Sequence, residues 1–364
     1  MEGSNIPAYF SSLSIRRRSL LKAALSGSAG ASLASALAAC GGSSTTPTGA
    51  TGEGSFPSHP QWNFVFVNHV TTNPFFVPTQ YGIQDACALV GCKYQWTGSA
   101  NSVVTEMVNA MNAAIAAKAD GIAVSIIDPT AFNEPVERAL SAGIPVVSYN
   151  ADAPASSKNA RLAYIGQDLY LSGFSMGQHI ASLIPSGDVV GFIATPGSLN
   201  IQPRINGAHD AIKQSGQPIT FTEVATGAAV NDELSRIEAY YLGHTNLKGM
   251  FAVDAGSTQG TGQIMEKYGL AAKGVHAGGY DLLPVTLQEI QKGNLDFTID
   301  QQPYLQGFYP VMQLFLYKLS GGLMAPSNTN TGLLFVTKSN VGPYLSTQTR
   351  FEGSSSQQKV VSPS

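Results

Sequence analysis

Charge is what this 364-residue chain has least of: Asp, Glu, Lys and Arg together make up 12% of it, about half the usual share. Its 20 Lys and Arg do not match its 23 Asp and Glu, giving a net charge of −3. A nucleic-acid partner demands a basic face, so none is expected. Histidine is sparse as well, and His59, His69, His179, His209, His244 and His276 are scattered with no HxxxH or HExxH pair. The three cysteines, Cys40, Cys87 and Cys92, form no CxxC and no Cys/His metal spacing. There is no Walker motif, and the glycine-rich run from Gly256 to Gly262 has Met265 where a dinucleotide fingerprint needs its third glycine. No metal or other cofactor is expected.

What is present begins with an export signal. Arg16-Arg17-Arg18-Ser19-Leu20-Leu21-Lys22 fits the twin-arginine pattern. The stretch Leu20–Ala39 that follows is diluted by Ser26, Gly27, Ser28, Gly30, Ser32 and Ser35, which makes it marginal as a permanent span. It ends in Leu37-Ala38-Ala39-Cys40-Gly41, which resembles a bacterial lipobox. Residues 1–40 therefore read as a lipoprotein signal peptide with Cys40 as the lipidated residue. The Gly/Ser/Thr/Pro segment 41–60 reads as a flexible tether. The expected location is the periplasm or the outer face of the cell membrane, with membrane contact through the lipid anchor only. Cys87 and Cys92 are permitted to pair in an exported chain, but the spacing joins a helix end to the next turn, and two unpaired buried cysteines are expected.

The body alternates apolar strands with helical segments: 62–68, 92–97, 121–127, 144–149, 189–194, 249–253 and 275–280 read as strands, with a short extended piece at 297–299. Strands this apolar, separated by helices, imply parallel sheets covered on both faces, and two such runs imply two α/β lobes. Ligands of open parallel sheets sit beyond the carboxyl ends of the strands. The residues placed there are mostly hydrogen-bonding: Asn73, Ser125, Asn150, Asp254, Asp281 and Gln301. Asp, Asn and Gln match vicinal hydroxyls, and an Arg adds a planar fork of donors. Phe75, Phe76 and Trp96 suit the C–H face of a sugar ring. Any one of these polar residues is as well explained by a turn or a helix cap, Asn73 before Pro74 especially; the set points to a cleft.

The chain from about Asn63 to Phe335 resembles the periplasmic sugar-binding proteins of the ribose/galactose-binding type. The matching pieces are Asn73-Pro74-Phe75-Phe76, Ala119-Asp120-Gly121-Ile122, Ile127-Asp128-Pro129 and Ala142-Gly143-Ile144-Pro145-Val146-Val147. They continue with Tyr164-Ile165-Gly166-Gln167-Asp168, Arg204-Ile205-Asn206-Gly207, Gly279-Tyr280-Asp281 and Thr298-Ile299-Asp300-Gln301-Gln302-Pro303. The resemblance implies two Rossmann-like lobes with parallel sheets, joined by a three-crossover hinge and closing on ligand. Crossovers near Gly166, Gln302 and Thr331 give a first lobe of 61–166 plus 303–331, a second of 167–302 plus 332–350, and a tail at 351–364. It further implies a monomeric, non-enzymatic solute-binding protein that delivers a monosaccharide, polyol or similar hydroxyl-rich ligand to an ABC permease of the inner membrane. The alternative is a sensory protein presenting its ligand, for example a furanosyl signal, to a chemoreceptor or kinase.

Carried over by position, Asn73, Phe75 and Phe76 are first-lobe contacts, while Arg204, Asp281 and Gln301 serve the second. Asp254 stands where ribose-type proteins often have Asn. Asn150-Ala151 replaces the Asp-Arg pair of ribose-type proteins, which puts ribose itself in doubt. Two rival readings fall away. Gly173-Phe174-Ser175-Met176-Gly177 matches the hydrolase nucleophile elbow, but the motif requires a strand before Ser175, and 168–183 reads as one helix. A repressor effector domain is incompatible with the export signals.

Overall fold

The computed structural model describes residues 56–346 and 349–352. The expected signal peptide, Cys40 and most of the tether lie outside the described residues, as does the tail beyond 352. Two six-stranded sheets carry the described chain. The first contains β1 (Asn63–Asn68), β2 (Lys93–Gly98), β3 (Gly121–Val124), β4 (Val146–Tyr149), β5 (Tyr164–Gly166) and β11 (Thr329–Asn330), in the order β11-β5-β4-β3-β1-β2. The second contains β6 (Gly187–Ile193), β7 (Ile219–Ala225), β8 (Gly249–Ala252), β9 (His276–Tyr280), β10 (Phe297–Asp300) and β12 (Leu334–Thr337), in the order β12-β10-β9-β8-β6-β7. The pairs within each sheet are parallel, apart from β12, which runs antiparallel to β10. The two-lobed α/β fold expected from the strand–helix rhythm is the one adopted.

Strand alternation sorts the core. In β1, Phe64 and Phe66 turn toward α1 (Val77–Val90) and α9 (Pro303–Leu319), packing with Ile83, Val311, Leu314 and Phe315. Val65 and Val67 face the other way, toward α2 (Val104–Ala116) and α3 (Asn133–Ser141), with Met107, Met111 and Val136. The second lobe repeats the scheme. Val190 and Phe192 of β6 join Ile237 of α6 (Val230–Gly243), Ile264 of α7 (Ala255–Tyr268) and Ile290 of α8 (Pro284–Lys292). Val189 and Ile193 join Met176 of α4 (Leu169–Leu183) and Ile205 of α5 (Gln202–Ser215). Burial on both faces explains why these strands read as unbroken apolar runs.

Helices α4 and α5 cross at glycines. A methyl group on Gly173 would lie 2.0 Å from Arg204 O, and one on Gly207 would lie 2.2 Å from Tyr170 O. The Gly173–Gly177 motif is thus a helix-crossing device inside α4, with Ser175 far from any elbow geometry. α1 and α9 cross in the same manner, through Gly82 and Gly307.

Three features depart from expectation. The third strand stops at Val124: Ser125 N still donates to Val67 O, but Ile126 N turns to Ala151 O at 3.1 Å. Cys87 and Cys92 form a disulfide, with Cα atoms 4.6 Å apart. Gly91, left-handed at φ +69°, ends α1 and folds Cys92 back onto the last helical turn, so a spacing that looked unfavourable is brought into reach. After the short helix α10 (Gly342–Ser346), the chain returns to the first lobe. There Arg350 lies 3.0 Å from Asp85 and 4.6 Å from the Tyr81 ring centroid, and Phe351 packs edge-on against Tyr304.

Besides that return, the chain passes between the lobes at 166–169, 300–303 and 330–334. Side-chain amides join the three passages. Gln167 donates to Gly332 O at 3.1 Å, and Thr331 donates to Gln301 O at 2.8 Å. Gln306, fully buried, donates to Gln301 O and Thr331 Oγ1 at 3.1 and 3.2 Å while accepting from Asn150 Nδ2 at 3.0 Å.

Candidate ligand-binding site

The two lobes enclose a cavity of about 550 Å³ counted with its mouth. The first lobe lines it with His69, Asn73, Phe75, Phe76, Ser102 and Asn150. The second contributes Thr195, Asn200, Arg204, Glu233, Asp254 and Asp281, and the middle crossover adds Gln301. Of the residues expected at the site from sequence, Asn73, Phe75, Phe76, Asn150, Arg204, Asp254, Asp281 and Gln301 are brought together here; Trp96 and Ser125 are not. Trp96 packs on Phe76, 5.8 Å between centroids, and donates to Thr71 O, so it backs a lining ring rather than facing the cavity. Ser125 is buried because its strand ends early, and its hydroxyl meets His69 Nδ1 at 3.0 Å.

Arg204 is the centre of the second-lobe surface. It sits in the first turn of α5, 2% exposed, with its guanidinium 4.0 Å over the Tyr280 ring. One Nη donates to Val253 O at 2.8 Å and the other to Gln167 Oε1 at 3.0 Å, while Nε has no protein partner. The stacked, twice-tethered plane leaves one donor edge for a ligand.

Asp281 and Asn150 both hold left-handed backbone, φ +75° and +62°, which Asn and Asp tolerate better than other non-glycine residues. That conformation turns each side chain inward at the end of its strand. Asp281 Oδ1 accepts from Gln301 Nε2 at 2.7 Å. Burial pushes its carboxyl up to about 7, partly offset by Arg204 and the Gln301 hydrogen bond.

Asn73 and Asp254 perform cap duty as well as lining. Asn73 Oδ1 accepts from Phe75 N at 3.0 Å, which leaves its amide nitrogen free to donate. Asp254 caps α7, accepting from Ser257 N at 2.8 Å and from Ala194 N at 2.9 Å.

From sequence, His69 is the one histidine beside a strand end within reach of the cleft, though a structural role is favoured for it, and Glu233, Asn200, Ser102 and Thr195 are passed over. His69 proves to do both: it lines the cavity, and its Nε2 accepts from Asn200 Nδ2 of the other lobe at 3.1 Å. Burial lowers its pKa to about 3, so the ring is neutral. Nothing in the local sequence singles out Glu233, which looks like an ordinary acidic residue in the first turn of a helix.

The pattern of the periplasmic binding protein domain matches residues 64–321. The chain belongs to that family. Over 321 residues it is 55% identical to the xylose/arabinose-binding protein XylF of Sulfolobus acidocaldarius, covering 85% of this chain and 79% of the relative. The ribose import binding protein RbsB of Bacillus subtilis is 24% identical over 236 residues, 65% of this chain and 74% of the relative. Among solved structures, an ABC transporter solute-binding protein of Burkholderia graminis in complex with D-arabinose matches with a TM-score of 0.73 at 26% identity, covering 79% of this chain and 99% of the other. The family is one of binding proteins rather than enzymes.

Proposed function

We propose that this chain captures a monosaccharide, a pentose such as xylose or arabinose, and hands it to an ABC importer. The observation that carries the reading is the cavity itself: donors and acceptors from both lobes converge on it, next to a stacked arginine whose Nε–H has no protein partner. Phe75 and Phe76 offer an apolar face to the ring C–H groups, while Arg204, Asp281, Gln301, Asn73 and Asn150 are placed for its hydroxyls. Closure removes water, so a hydroxyl missing from a wrong sugar leaves a buried polar group unpaired at a cost of about 1–3 kcal/mol. Selectivity arises in that way with no chemical step. The pentose preference is supported by the relative named for xylose and arabinose, and Asn150-Ala151 in place of the ribose-type Asp-Arg pair argues against ribose within that class.

The same reading includes a monomer, tethered through a lipid on Cys40 at the outer face of the membrane. A thermal-shift screen against D-xylose, L-arabinose, D-ribose and hexoses tests it. A rise of several degrees with a pentose is expected, since ligand in large excess stabilises the folded form by a few kcal/mol. A flat response across the panel from folded protein would sink the sugar assignment. Cys40→Ala should release the protein from the membrane fraction without altering sugar affinity.

A further inference from the structure

Glu233 lines the cavity, and among the described residues no cation pairs with it. It lies in the first turn of α6, is 2% exposed, and presses on the first turn of α7. The fit is close enough that a methyl on Gly256 would meet its Oε2 at 2.0 Å. The groups acting on the carboxyl are Asp254 from α7, Asp232 on its own helix and the Ser257 hydroxyl at 3.5 Å. That hydroxyl is already engaged with Thr226 at 2.8 Å. Asp254 in turn uses both oxygens on backbone N–H groups. Two carboxyls therefore meet at one end of the cavity, and the cation acting there, Arg204, bears on Asp254. Two adjacent buried carboxylates repel and lack hydration, and one shared proton relieves both penalties.

We propose that Glu233 is a specificity-determining residue that meets the sugar as a carboxylic acid, sharing one proton with Asp254 in the closed cavity, so that capture takes up a proton. The proposal rests on the sugar reading above. A carboxylic acid spends its one O–H on Asp254 and keeps an oxygen to accept from a ring hydroxyl, whereas two carboxylates at that end of the cavity would only repel. Burial, then Asp254, raises the Glu233 pKa in the closed form, and opening the cleft rehydrates both carboxyls and lets it fall. The closed form thus binds more protons, so affinity is fully present below the open-form pKa and is lost as pH rises through the closed-form pKa.

Other titratable groups also face the cavity. His69, from the end of β1, releases a proton on closure, but only at acidic pH, because its ring is neutral above about 6.5 in either form. Asp281, from the end of β9, titrates near 7. Arg204 of α5 is the cation that lines the cavity. Above about pH 7.5 the Glu233–Asp254 pair is therefore the remaining source of linked proton uptake.

Calorimetric titration of the full chain with D-xylose and L-arabinose decides the matter, run from about pH 7.5 to about pH 9 in buffers of different ionisation heat. Net uptake of up to about one proton is expected, with affinity falling by up to about tenfold per pH unit. Glu233→Gln, whose amide can still donate to Asp254 but cannot titrate, should lose the pH slope and the proton uptake. Glu233→Met, similar in size but unable to donate, should bind about 10-fold or more weakly throughout. Zero proton uptake by the parent protein would overturn the proposal even if the variants failed to fold. So would a Glu233→Gln slope equal to the parent's. Silence toward both sugars at every pH would instead defeat the sugar reading, and this proposal with it.

Discussion

His69 of the first lobe and Asn200 of the second meet across the cleft, Nε2 accepting from Nδ2 at 3.1 Å. Each partner is held from behind: Ser125 faces His69 Nδ1 at 3.0 Å, and Ser198 donates to Asn200 Oδ1 at 2.5 Å. A second bond, Leu199 N to Ile127 O at 3.0 Å, joins the lobes along the same line. The pair latches the closed form and requires neutral His69. Asn200→Ala should enlarge the radius of gyration of the sugar-free protein in solution scattering. It should also weaken sugar binding by up to about tenfold, the worth of one hydrogen bond. An unchanged scattering profile would show that the latch does not set the closed population.

Arg204 calls for two substitutions. Arg204→Ala removes a stacked, hydrogen-bonded cation and should lower sugar affinity by about 10- to 100-fold. Arg204→Lys keeps the charge but cannot reproduce the fork, and should recover little of that loss. Isothermal titration reads both, with circular dichroism to show that the lobes remain folded. Parent-like affinity in Arg204→Ala would remove Arg204 from the site.

The helix crossing can be broken with one methyl group. Gly173→Ala places a carbon 2.0 Å from Arg204 O, so α4 and α5 must separate. A loss of about 1–3 kcal/mol in stability is expected from such overpacking, with weaker sugar binding because Arg204 moves with its helix. Ser175→Ala, in the middle of the same motif, should leave the melting temperature and affinity alone. A large effect from Ser175→Ala and none from Gly173→Ala would reverse the account.

Stability should fall as pH rises from about 5 to about 8. Asp281 and Asp300 are pushed up by burial to about 7 and about 6, and Glu233 is raised as well. Their folded-state pKa values lie above the unfolded ones, so the stability they contribute is present in acid and is lost as pH rises through the folded values. Asp254 is raised in the same way. His69, lowered to about 3, and His179, also lowered by burial, work in the opposite sense below their unfolded pKa. The raised carboxyls act across the whole range, the two histidines only in its acidic part. Melting curves across this range should show the decline, Asp300→Asn should flatten it, and His69→Gln should steepen it. A melting temperature that rises with pH would contradict the assignment.

The fold was legible wherever a strand is buried on both faces. β1, β3, β4, β6 and β8 stand out as apolar runs because nothing on either side of them is wet. β7 did not register: it is an edge strand whose sequence Ile219-Thr220-Phe221-Thr222-Glu223-Val224-Ala225 mixes polar residues into a half-exposed surface. The cleft residues were legible through their place at strand ends, which the chain path fixes locally. Trp96 and Ser125 misled because that rule gives position along a strand but not the direction a side chain takes once the strand twists away. Glu233 and Asn200 enter the cavity from helix and loop starts, where acidic and amide residues are common for capping reasons alone. Their role depends on which elements the fold sets opposite them. The Cys87–Cys92 pairing was missed for a related reason, since it turns on the left-handed Gly91 rather than on the cysteine spacing.

The passages at 166–169, 300–303 and 330–334 are wired by Gln167, Gln301, Gln306, Asn150 and Thr331, all uncharged, and the Arg350–Asp85 ion pair on the return near 350 is largely shielded from solvent. An ion-pair hinge would stiffen in dilute solution and slacken in brine, because mobile ions screen its attraction. Hydrogen bonds between amides carry almost no such sensitivity. The rate at which the lobes swing apart should therefore be nearly the same in fresh and saline surroundings, an advantage for a protein working outside the membrane, where the cell does not control the salt.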